Sequence, residues 1–433
     1  MPTQSVEWIA AARLLRRTGF GTTGRAVDAA IAQPDYLTAA LNAHPEADPG
    51  ASATPLPDFP VPAPPGKSAT AATRKEYNAG VRDQMQTLSQ WWVERMVSVQ
   101  QPVHEKLTLL WHNHFATSAR KVRAAGLMAT QNQKLRTGAL GDFRSLAYSM
   151  LTDPAMLRWL DGQQNTEKAA NENLSREFME LFALGHGNGY TESDVREGAR
   201  ALTGWVIKDG QSNLVRKRHD TGDKTVLGVT GALDAAGFCD AVLARPESPA
   251  FVAQRLWQQL ASDSPPSAQA LSRLVDAYGG ARDLKALTLA ILTEPEFVSQ
   301  PSSLVNTPVE WTVGLVRTLD VQARPNGALL DQTLKALGQQ PFYPPDVGGW
   351  PRGQAWLSTA AAGVRLRAAT ALARKGDVSI VSDAAPSDRI DAAGYLLGIG
   401  SWSDQSAAAL RPLANRPPEL VAAAANTPEN LTS

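Results

Sequence analysis

Two histidines, His112 and His114, stand one residue apart at the end of an apolar run that follows Glu105. Imidazole and carboxylate together are what a metal site or a general acid–base site requires. Glu105 and His112 are seven residues apart, so they share a helix face, whereas His112 and His114 point to opposite sides of a helix. Both histidines can serve one site only if the helix ends near Asn113; the alternative is one core histidine and one surface histidine.

A second polar segment runs from residue 171 to residue 182 and has helical spacing. Its apolar positions form a stripe, and Asn173, Glu177 and Glu180 fall on the adjacent face at spacings of four and three. One interpretation is a solvated charged face with Arg176 and Glu180 as an ordinary ion pair. The other places this helix beside the histidine segment, where its carboxylates complete a His/Glu cluster, as in helical bundles that bind metals.

A third segment places four basic residues around a His219-Asp220 pair on a glycine-containing loop, residues 216–224. Guanidinium and ammonium groups in such a loop can hold a phosphate, sulfate or carboxylate, and His219 or Asp220 can act as a ligand or a base. A plain turn with solvated charges is the alternative. These three segments predict one site with three sets of residues. Proton transfer is assigned to Glu177, His219 and Asp220, substrate binding to Arg176, Arg216, Arg218 and Lys224, and a divalent metal of unspecified identity to His112, His114, Glu105 and Glu180.

The elements that must position these residues are mostly helices. Apolar residues recur at helical spacing over most of the chain, while residues 205–231 contain short strand-like pieces separated by Gly and Asp. Thr191 and Asp194 are spaced as a capping box at the start of a helix. The pattern predicts a mainly α protein with a bundle-like body of many helices and a small β-hairpin insert near 205–231.

Composition divides the chain into four predicted parts. Proline is so dense in residues 45–66 that we expect an extended strap or linker and no helix there. The predicted parts are N-terminal helices over 1–44, the strap or linker over 45–70, a main helical domain over 71–380, and Ala-rich C-terminal helices and tail over 381–433.

Charge and cysteine content limit the class of protein. Basic and acidic residues are equal at 42 each, so no overall field attracts nucleic acid, and no apolar run is long enough to span a bilayer. Cys239 is the only cysteine, which excludes an intrachain disulfide. An acid at position 7 and the lack of an apolar region after Arg16-Arg17 argue against a secretory leader, so we expect a cytoplasmic protein, with co-export to the periplasm as the alternative.

Several short motifs in series resemble those of the bacterial domain-of-unknown-function family 1800, DUF1800, over roughly residues 8–375. Each motif is weak alone, and their order makes the resemblance specific. They are Leu14-Leu15-Arg16-Arg17-Thr18-Gly19-Phe20-Gly21, Trp111-His112-Asn113-His114-Phe115, Asn171-Glu172-Asn173 with Arg176-Glu177 and Glu180-Leu181-Phe182, Tyr190-Thr191 with Asp194-Val195, Ala201-Leu202-Thr203-Gly204-Trp205, His219-Asp220-Thr221-Gly222 with Lys224, and Pro344-Pro345-Asp346-Val347-Gly348-Gly349-Trp350.

The resemblance implies little about the reaction, because no activity is established for the family. Its members are often encoded beside a DUF1501 protein that resembles the alkaline phosphatase and sulfatase superfamily. Two hypotheses follow. The first is a metal-assisted, hydrolase-like enzyme that acts on an anionic substrate through the His/Glu/Asp cluster. The second is a non-catalytic helical partner, or an export or stability factor, for the DUF1501-type protein, with a tryptophan-rich surface as its contact.

Overall fold

Helices make up most of the chain in the computed structural model, which describes residues 4–60, 63–299 and 304–432. The predicted mainly α fold is confirmed. At the N-terminus, Ser5 and Thr23 cap their helices by accepting a hydrogen bond from the backbone of the first turn. The helices of this part are α1 (Val6–Thr18), α2 (Gly24–Ile31), α3 (Tyr36–Asn42) and α4 (Pro49–Ala53).

Helix α4 lies within the proline-rich segment, where no helix was predicted, and that expectation is wrong for these five residues. Pro49 stands at the first helical position, where its missing N–H costs nothing, and Asp48 caps the turn. Residues 54–60, which follow, form no helix or strand. The segment therefore combines one helical turn with an extended stretch.

The body begins with a long helix and continues through short ones. Its helices are α5 (Ala71–Ser98), α6 (Val103–His114), α7 (Ala119–Val122), α8 (Ala125–Gly138), α9 (Phe143–Leu151), α10 (Pro154–Trp159), α11 (Asn173–Glu177) with a π-helix (Phe178–Ala183), and α12 (Glu192–Ala201). The predicted capping box is present at α12, where Thr191 accepts from the backbone of Asp194 and Asp194 accepts from the backbone of Thr191.

Two antiparallel hairpins form the β insert, where one was predicted. Strands β1 (Trp205–Lys208) and β2 (Gln211–Leu214) pair with Trp205 opposite Leu214, and β3 (Lys224–Val226) and β4 (Val229–Gly231) pair with Val226 opposite Val229. Each hairpin turns through two residues with positive φ, Asp209-Gly210 and Leu227-Gly228, which is the turn that suits the twist of paired strands.

Helices continue to the end of the described chain. Those after the β insert are α13 (Ala235–Leu243), α14 (Glu247–Leu260), α15 (Ala268–Tyr278), α16 (Leu284–Thr293), α17 (Pro295–Ser299), α18 (Pro308–Thr318), α19 (Gly327–Ala336), α20 (Thr359–Ala373), α21 (Ser379–Ser382), α22 (Arg389–Leu396), α23 (Asp404–Leu410), α24 (Pro417–Ala424) and α25 (Pro428–Leu431). Short 3₁₀ turns, such as Gly162–Gln164 and Gly353–Trp356, connect some of the elements. No helix of the described residues is long and apolar enough to cross a membrane.

Two large hydrophobic clusters hold the helices together, and α6 contributes to both. Leu107, Leu110 and Trp111 of α6 belong to the cluster that contains α9 and α13–α16, whereas Leu109 belongs to the cluster that contains α5, α18–α20 and the C-terminal helices. Helix α6 therefore stands at the junction of the two clusters, and its C-terminal end carries the two neighbouring histidines.

The tryptophans do not form the predicted contact surface. Eight of the eleven are buried and the other three are partly buried. Several indole N–H groups donate to backbone carbonyls distant in sequence, as Trp91 does to Thr54, Trp111 to Ala139 and Trp311 to Ala425. The expectation of a tryptophan-rich surface is therefore wrong, because these side chains join helices inside the protein.

Candidate functional site

His112 packs against three aromatic rings. Its ring is 5.4 Å from that of Trp92, 5.3 Å from that of Phe342 and 5.5 Å from that of Trp350, measured between centroids. Both ring nitrogens are buried and make no hydrogen bond to any residue that the structure describes. Burial lowers the pKa of His112 to about 3, so the imidazole is neutral at physiological pH.

His114 faces the other side of α6, because the helix continues through residue 114. Its Nε2 lies 2.8 Å from the carbonyl oxygen of Phe182 in the π-helix, and its ring packs against Phe115. Burial lowers its pKa to about 3, with a further lowering by Arg255, although the bond to Phe182 opposes this. The two histidines therefore occupy separate hydrophobic surroundings.

Glu105 is a buried structural carboxylate. It accepts hydrogen bonds from Arg95 Nε at 2.7 Å, Arg136 Nε at 2.6 Å and Trp92 Nε1 at 2.9 Å. Burial alone would raise its pKa, but the two arginines outweigh burial and lower it to about 2. Glu105 and His112 share a helix face as predicted, since both contact Trp92.

The Glu177 and Glu180 segment lies at the surface of the protein. Arg176 binds Glu192 at 2.7 Å and Glu172 at 3.0 Å and stands 3.7 Å from Glu180. Burial and the neighbouring Glu180 raise the pKa of Glu177, which Arg176 partly offsets. These side chains form an ion-pair group on α11, the π-helix and α12.

The His219-Asp220 loop is fastened to the end of α12. His219 Nδ1 lies 2.9 Å from the carbonyl oxygen of Thr203, and the Thr203 hydroxyl accepts from the backbone of Asp220 at 2.8 Å. Arg200 donates to Asp220 at 2.7 Å and helps keep the pKa of this carboxyl below its usual value despite the opposing effect of burial. The pair therefore positions the loop.

The basic residues of this loop do not converge on one point. Lys224 is buried and donates to the carbonyl oxygens of Asp220 and Gly222, while Arg218 donates to the carbonyl oxygen of Gln163 and Arg216 is exposed. The described residues contain no group of three or more His, Cys, Asp or Glu side chains able to hold one metal ion. The predicted ligands His112, His114, Glu105 and Glu180 are thus not brought together, and metal binding stays a prediction.

A different set of polar residues does converge, at the junction of the two hydrophobic clusters. They line a cavity of about 50 Å³, large enough for a few waters or a small oxyanion. We call this the polar cleft. Its polar and glycine lining consists of Arg17, Asn113, Gln258, Gln259, Asp263, Thr307, Glu310, Gln339, Arg352 and Gly353.

Charged groups lie on the floor of the polar cleft. Arg17 is buried, and this burial lowers its pKa to about 9 even though Glu310 and Asp263 act in the opposite direction. Glu310 pairs with the buried Lys106. Burial raises the pKa of Glu310, but Lys106, the backbone of Thr307 and Arg17 together lower it. The floor therefore holds ionised groups of both signs away from bulk water.

The rim of the polar cleft adds two exposed charged residues. Arg352 donates to the side-chain oxygen of Gln258, and the Asp263 carboxylate lies beside Gly353. Partial burial raises the pKa of Asp263, while Arg352 and Arg17 oppose this. Arg255, one turn before Gln258 on α14, has a buried Nε without a hydrogen-bond partner in the described residues, and burial and Arg352 lower its pKa to about 10.

The end of α6 is fixed against the wall of the polar cleft by close backbone packing. Asn113 Oδ1 accepts from the backbone N of Trp350 at 2.7 Å. Gly349 has a φ of +88°, and a Cβ there would lie 2.4 Å from Asn113 Oδ1. This approach leaves the amide N–H groups of Asn113, which bond to no other described residue, at the cleft.

A family model described as "Protein of unknown function (DUF1800)" matches residues 13–431. The chain belongs to this family. No curated protein and no solved structure matches it. The DUF1800 resemblance inferred from the series of motifs is thereby confirmed, and the family description assigns no activity.

Three of the DUF1800 motifs meet at the polar cleft. Arg17 comes from the first motif, Asn113 lies between the two histidines of the second, and Arg352 follows the Gly348-Gly349-Trp350 motif by two residues. Sequence reasoning selected the histidines and missed Asn113, although both belong to one motif. It also missed Glu310, whose only sequence signal is the Thr307–Glu310 capping box of a helix start, and Asp263.

Proposed function

We propose that this DUF1800 protein binds a small anionic substrate group in the polar cleft and exchanges a proton with it through Asp263. The observation that carries the proposal is the convergence on one small polar cavity of Arg17 and Asn113, from two separate motifs, and Arg352, which closely follows a third. Carboxylate, phosphate and sulfate groups are the chemical class that guanidinium and amide donors recognise.

The charge balance of the polar cleft supports an anion. Lys106 and Glu310 neutralise each other as an ion pair. Asp263 is the other carboxylate of the lining, and both Arg352 and Arg17 act on it. Arg352 also acts on the neighbouring Arg255. A negatively charged ligand relieves the repulsion between Arg352 and Arg255.

Asp263 is the group best placed for proton transfer. Its pKa is raised, which brings it nearer to the range useful for a general acid or base. The cavity of about 50 Å³ suits the anionic group of a substrate, with the remainder of the molecule directed towards the exposed rim. Hydrolysis of an anionic substrate is the reaction class that we propose.

Anion-dependent stabilisation of the Arg352→Ala variant tests this proposal. Arg352 is exposed, so we expect its removal to leave folding intact. Thermal unfolding would be followed in sodium phosphate, sulfate and succinate, each compared with chloride at equal ionic strength. The wild-type protein should gain stability with at least one anion, and the variant should need at least about tenfold more of it, equivalent to about 1.4 kcal/mol.

Arg324→Ala is the matched control, because Arg324 is exposed and pairs with Glu94 at a distant surface. It should respond to anions as the wild-type protein does. The proposal fails if no anion stabilises the wild-type protein, or if Arg352→Ala and Arg324→Ala respond alike.

A second candidate function, a partner of a DUF1501-type protein, is supported by exposed apolar residues on two neighbouring helices. Val6 and Ile9 of α1 are 86% and 41% exposed, and Val298 of α17 is 55% exposed. Arg13 lies over the ring of Phe297 at 4.3 Å, which joins α1 to α17. Apolar groups left in water at such a junction suit a protein contact.

Co-expression with the DUF1501-type protein discriminates between the candidates. If the contact exists, a Val6→Ser, Ile9→Ser, Val298→Ser variant should lose co-purification while Arg352→Ala retains it. Equal recovery of the partner with the wild-type protein and the triple variant would contradict a contact at these helices.

A further inference from the structure

A second basic pocket lies between α5, α7, α10 and the first hairpin. It has a volume of about 660 Å³, and its lining includes Tyr77, Lys121, Arg123, Arg158 and Ile207. None of these residues lines the polar cleft. We call it the hairpin pocket, since the β1–β2 turn forms one side of it.

Arg123 lines the hairpin pocket and has an unfavourable backbone conformation. It ends α7 with a φ of +52° and a ψ of +34°, the left-handed region that a side chain with a Cβ rarely adopts. Its guanidinium donates to the side-chain oxygen of Asn78 on α5. The positive φ ends α7 at this point and lets the Arg123 side chain reach α5.

Arg158 approaches the same turn of α5. Its guanidinium donates to the carbonyl oxygen of Val122, one residue before Arg123, at 3.1 Å. Partial burial lowers the pKa of Arg158, while its electrostatic interaction with Tyr77 opposes this. Arg123 and Arg158 therefore both lie against the Tyr77–Asn78 turn, and neither pairs with a carboxylate among residues 4–60, 63–299 and 304–432.

The acidic groups nearby do not neutralise the two arginines. Asp161 binds Lys121 at 2.7 Å, which leaves that pair without net charge. Asp209 lines the pocket from the exposed hairpin turn and is the one carboxylate in its lining. Two guanidinium groups against one exposed carboxylate leave an excess of positive charge, which favours a ligand with two negative charges.

The hairpin pocket also has apolar and aromatic lining residues beside the polar Gln163. Tyr77 and Ile207 are half-buried and present a ring and a branched side chain to the pocket. The volume of about 660 Å³ greatly exceeds what an inorganic ion fills and lies within the range of small-molecule sites. A ligand that fills this pocket therefore needs an organic part beside its anionic group.

We propose that the hairpin pocket binds an organic phosphate, with the phosphate between Arg123 and Arg158 and the organic part against Tyr77 and Ile207. Arginine is preferred for phosphate because its planar donors match the phosphate oxygens. This site is separate from the proposed function in the polar cleft and does not depend on it.

Titration calorimetry with 1-naphthyl phosphate, inorganic phosphate and 1-naphthol tests the site in the full-length protein. Arg123→Gly removes the guanidinium and keeps the positive φ without strain, so we expect it to fold. Wild-type protein should bind naphthyl phosphate at least tenfold more tightly than phosphate or naphthol. Arg123→Gly and Arg158→Gln should each weaken this binding at least tenfold.

Arg120→Ala is the matched control, since Arg120 is exposed on the same helix and does not line the pocket. It should bind naphthyl phosphate as the wild-type protein does. Equal binding by Arg123→Gly and Arg120→Ala would overturn the proposal, as would binding of naphthol as tight as that of naphthyl phosphate.

Discussion

His112 illustrates how a residue type suited to chemistry can serve packing. Its two nitrogens have no partner in the described residues, whereas His114 bonds to the carbonyl oxygen of Phe182. Replacing a buried polar group that makes no bond costs little, but removing one partner of a buried hydrogen bond costs about 1–3 kcal/mol. The two histidines should therefore respond differently to the same substitution.

We predict that His112→Met changes the free energy of unfolding by less than about 1 kcal/mol at pH 7, while His114→Met lowers it by about 1–3 kcal/mol. Methionine has a similar volume and favourable contacts with aromatic rings. Urea unfolding would measure both. A larger loss of unfolding free energy in His112→Met than in His114→Met would show that His112 makes a stabilising hydrogen bond.

The same histidines make stability depend on pH. Each has a folded pKa of about 3, below the ordinary value of 6.5, so the unfolded state binds protons first as the pH falls. Their stabilising contribution is complete above pH 6.5 and is lost progressively towards pH 3, by about 2–3 kcal/mol per histidine between pH 6.5 and 4.5. The loss of stability between pH 6.5 and 4.5 should be smaller in His112→Met than in the wild-type protein. An unchanged dependence of stability on pH in that variant would contradict the claim that His112 is buried and neutral.

Substitutions of Asp263 and Arg352 should change the affinity of the polar cleft for anions in opposite directions. Removing the negative charge with Asp263→Asn should strengthen anion binding in the polar cleft by a few-fold at pH 7, whereas Arg352→Ala should weaken it by about tenfold. Calorimetric titration with the most stabilising anion provides the measurement. Both variants shifting affinity in the same direction would contradict an anion located between these residues.

At the scale of elements, the features that depend on residues close in sequence were predicted correctly. The Thr191 and Asp194 capping box, the helix that carries both histidines and the strand-forming character of residues 205–231 all follow from neighbouring residues. The helical turn at Pro49 was missed because proline is permitted at a first helical position. The second hairpin turn, Leu227-Gly228, lacks the Asp-Gly signal that marks the first.

The contact between α6 and the glycine-containing loop at residues 348–350 is a packing requirement that can be tested. A Cβ at residue 349 would lie 2.4 Å from Asn113 Oδ1, whereas one at Gly187 has no heavy atom within 4 Å, and both glycines have positive φ. Gly349→Ala should therefore lower the free energy of unfolding by about 1–3 kcal/mol more than Gly187→Ala. Equal losses in urea unfolding would mean that backbone strain alone accounts for both substitutions.

At the scale of the whole molecule, the polar cleft lies where two hydrophobic clusters meet. Arg17 and Asn113 are nearly a hundred residues apart in sequence, and Arg352 is more than two hundred residues further along. No periodicity or local spacing encodes such proximity, because it depends on how α1, α6, α14 and α18 pack. This explains why sequence reasoning named His112 and Glu105, which lie in aromatic and ion-pair contacts, and did not name the residues of the polar cleft.

The central claim, an anionic group bound in the polar cleft, is tested most directly by crystals soaked in sodium selenate at low ionic strength. Anomalous difference maps locate selenium without assumptions about the ligand. In wild-type crystals we predict a selenium peak in the polar cleft, with the selenate oxygens within hydrogen-bonding distance of Arg17 and Arg352. This peak should be lost in Arg352→Ala crystals. Selenate at other basic sites with none in the polar cleft would contradict the account.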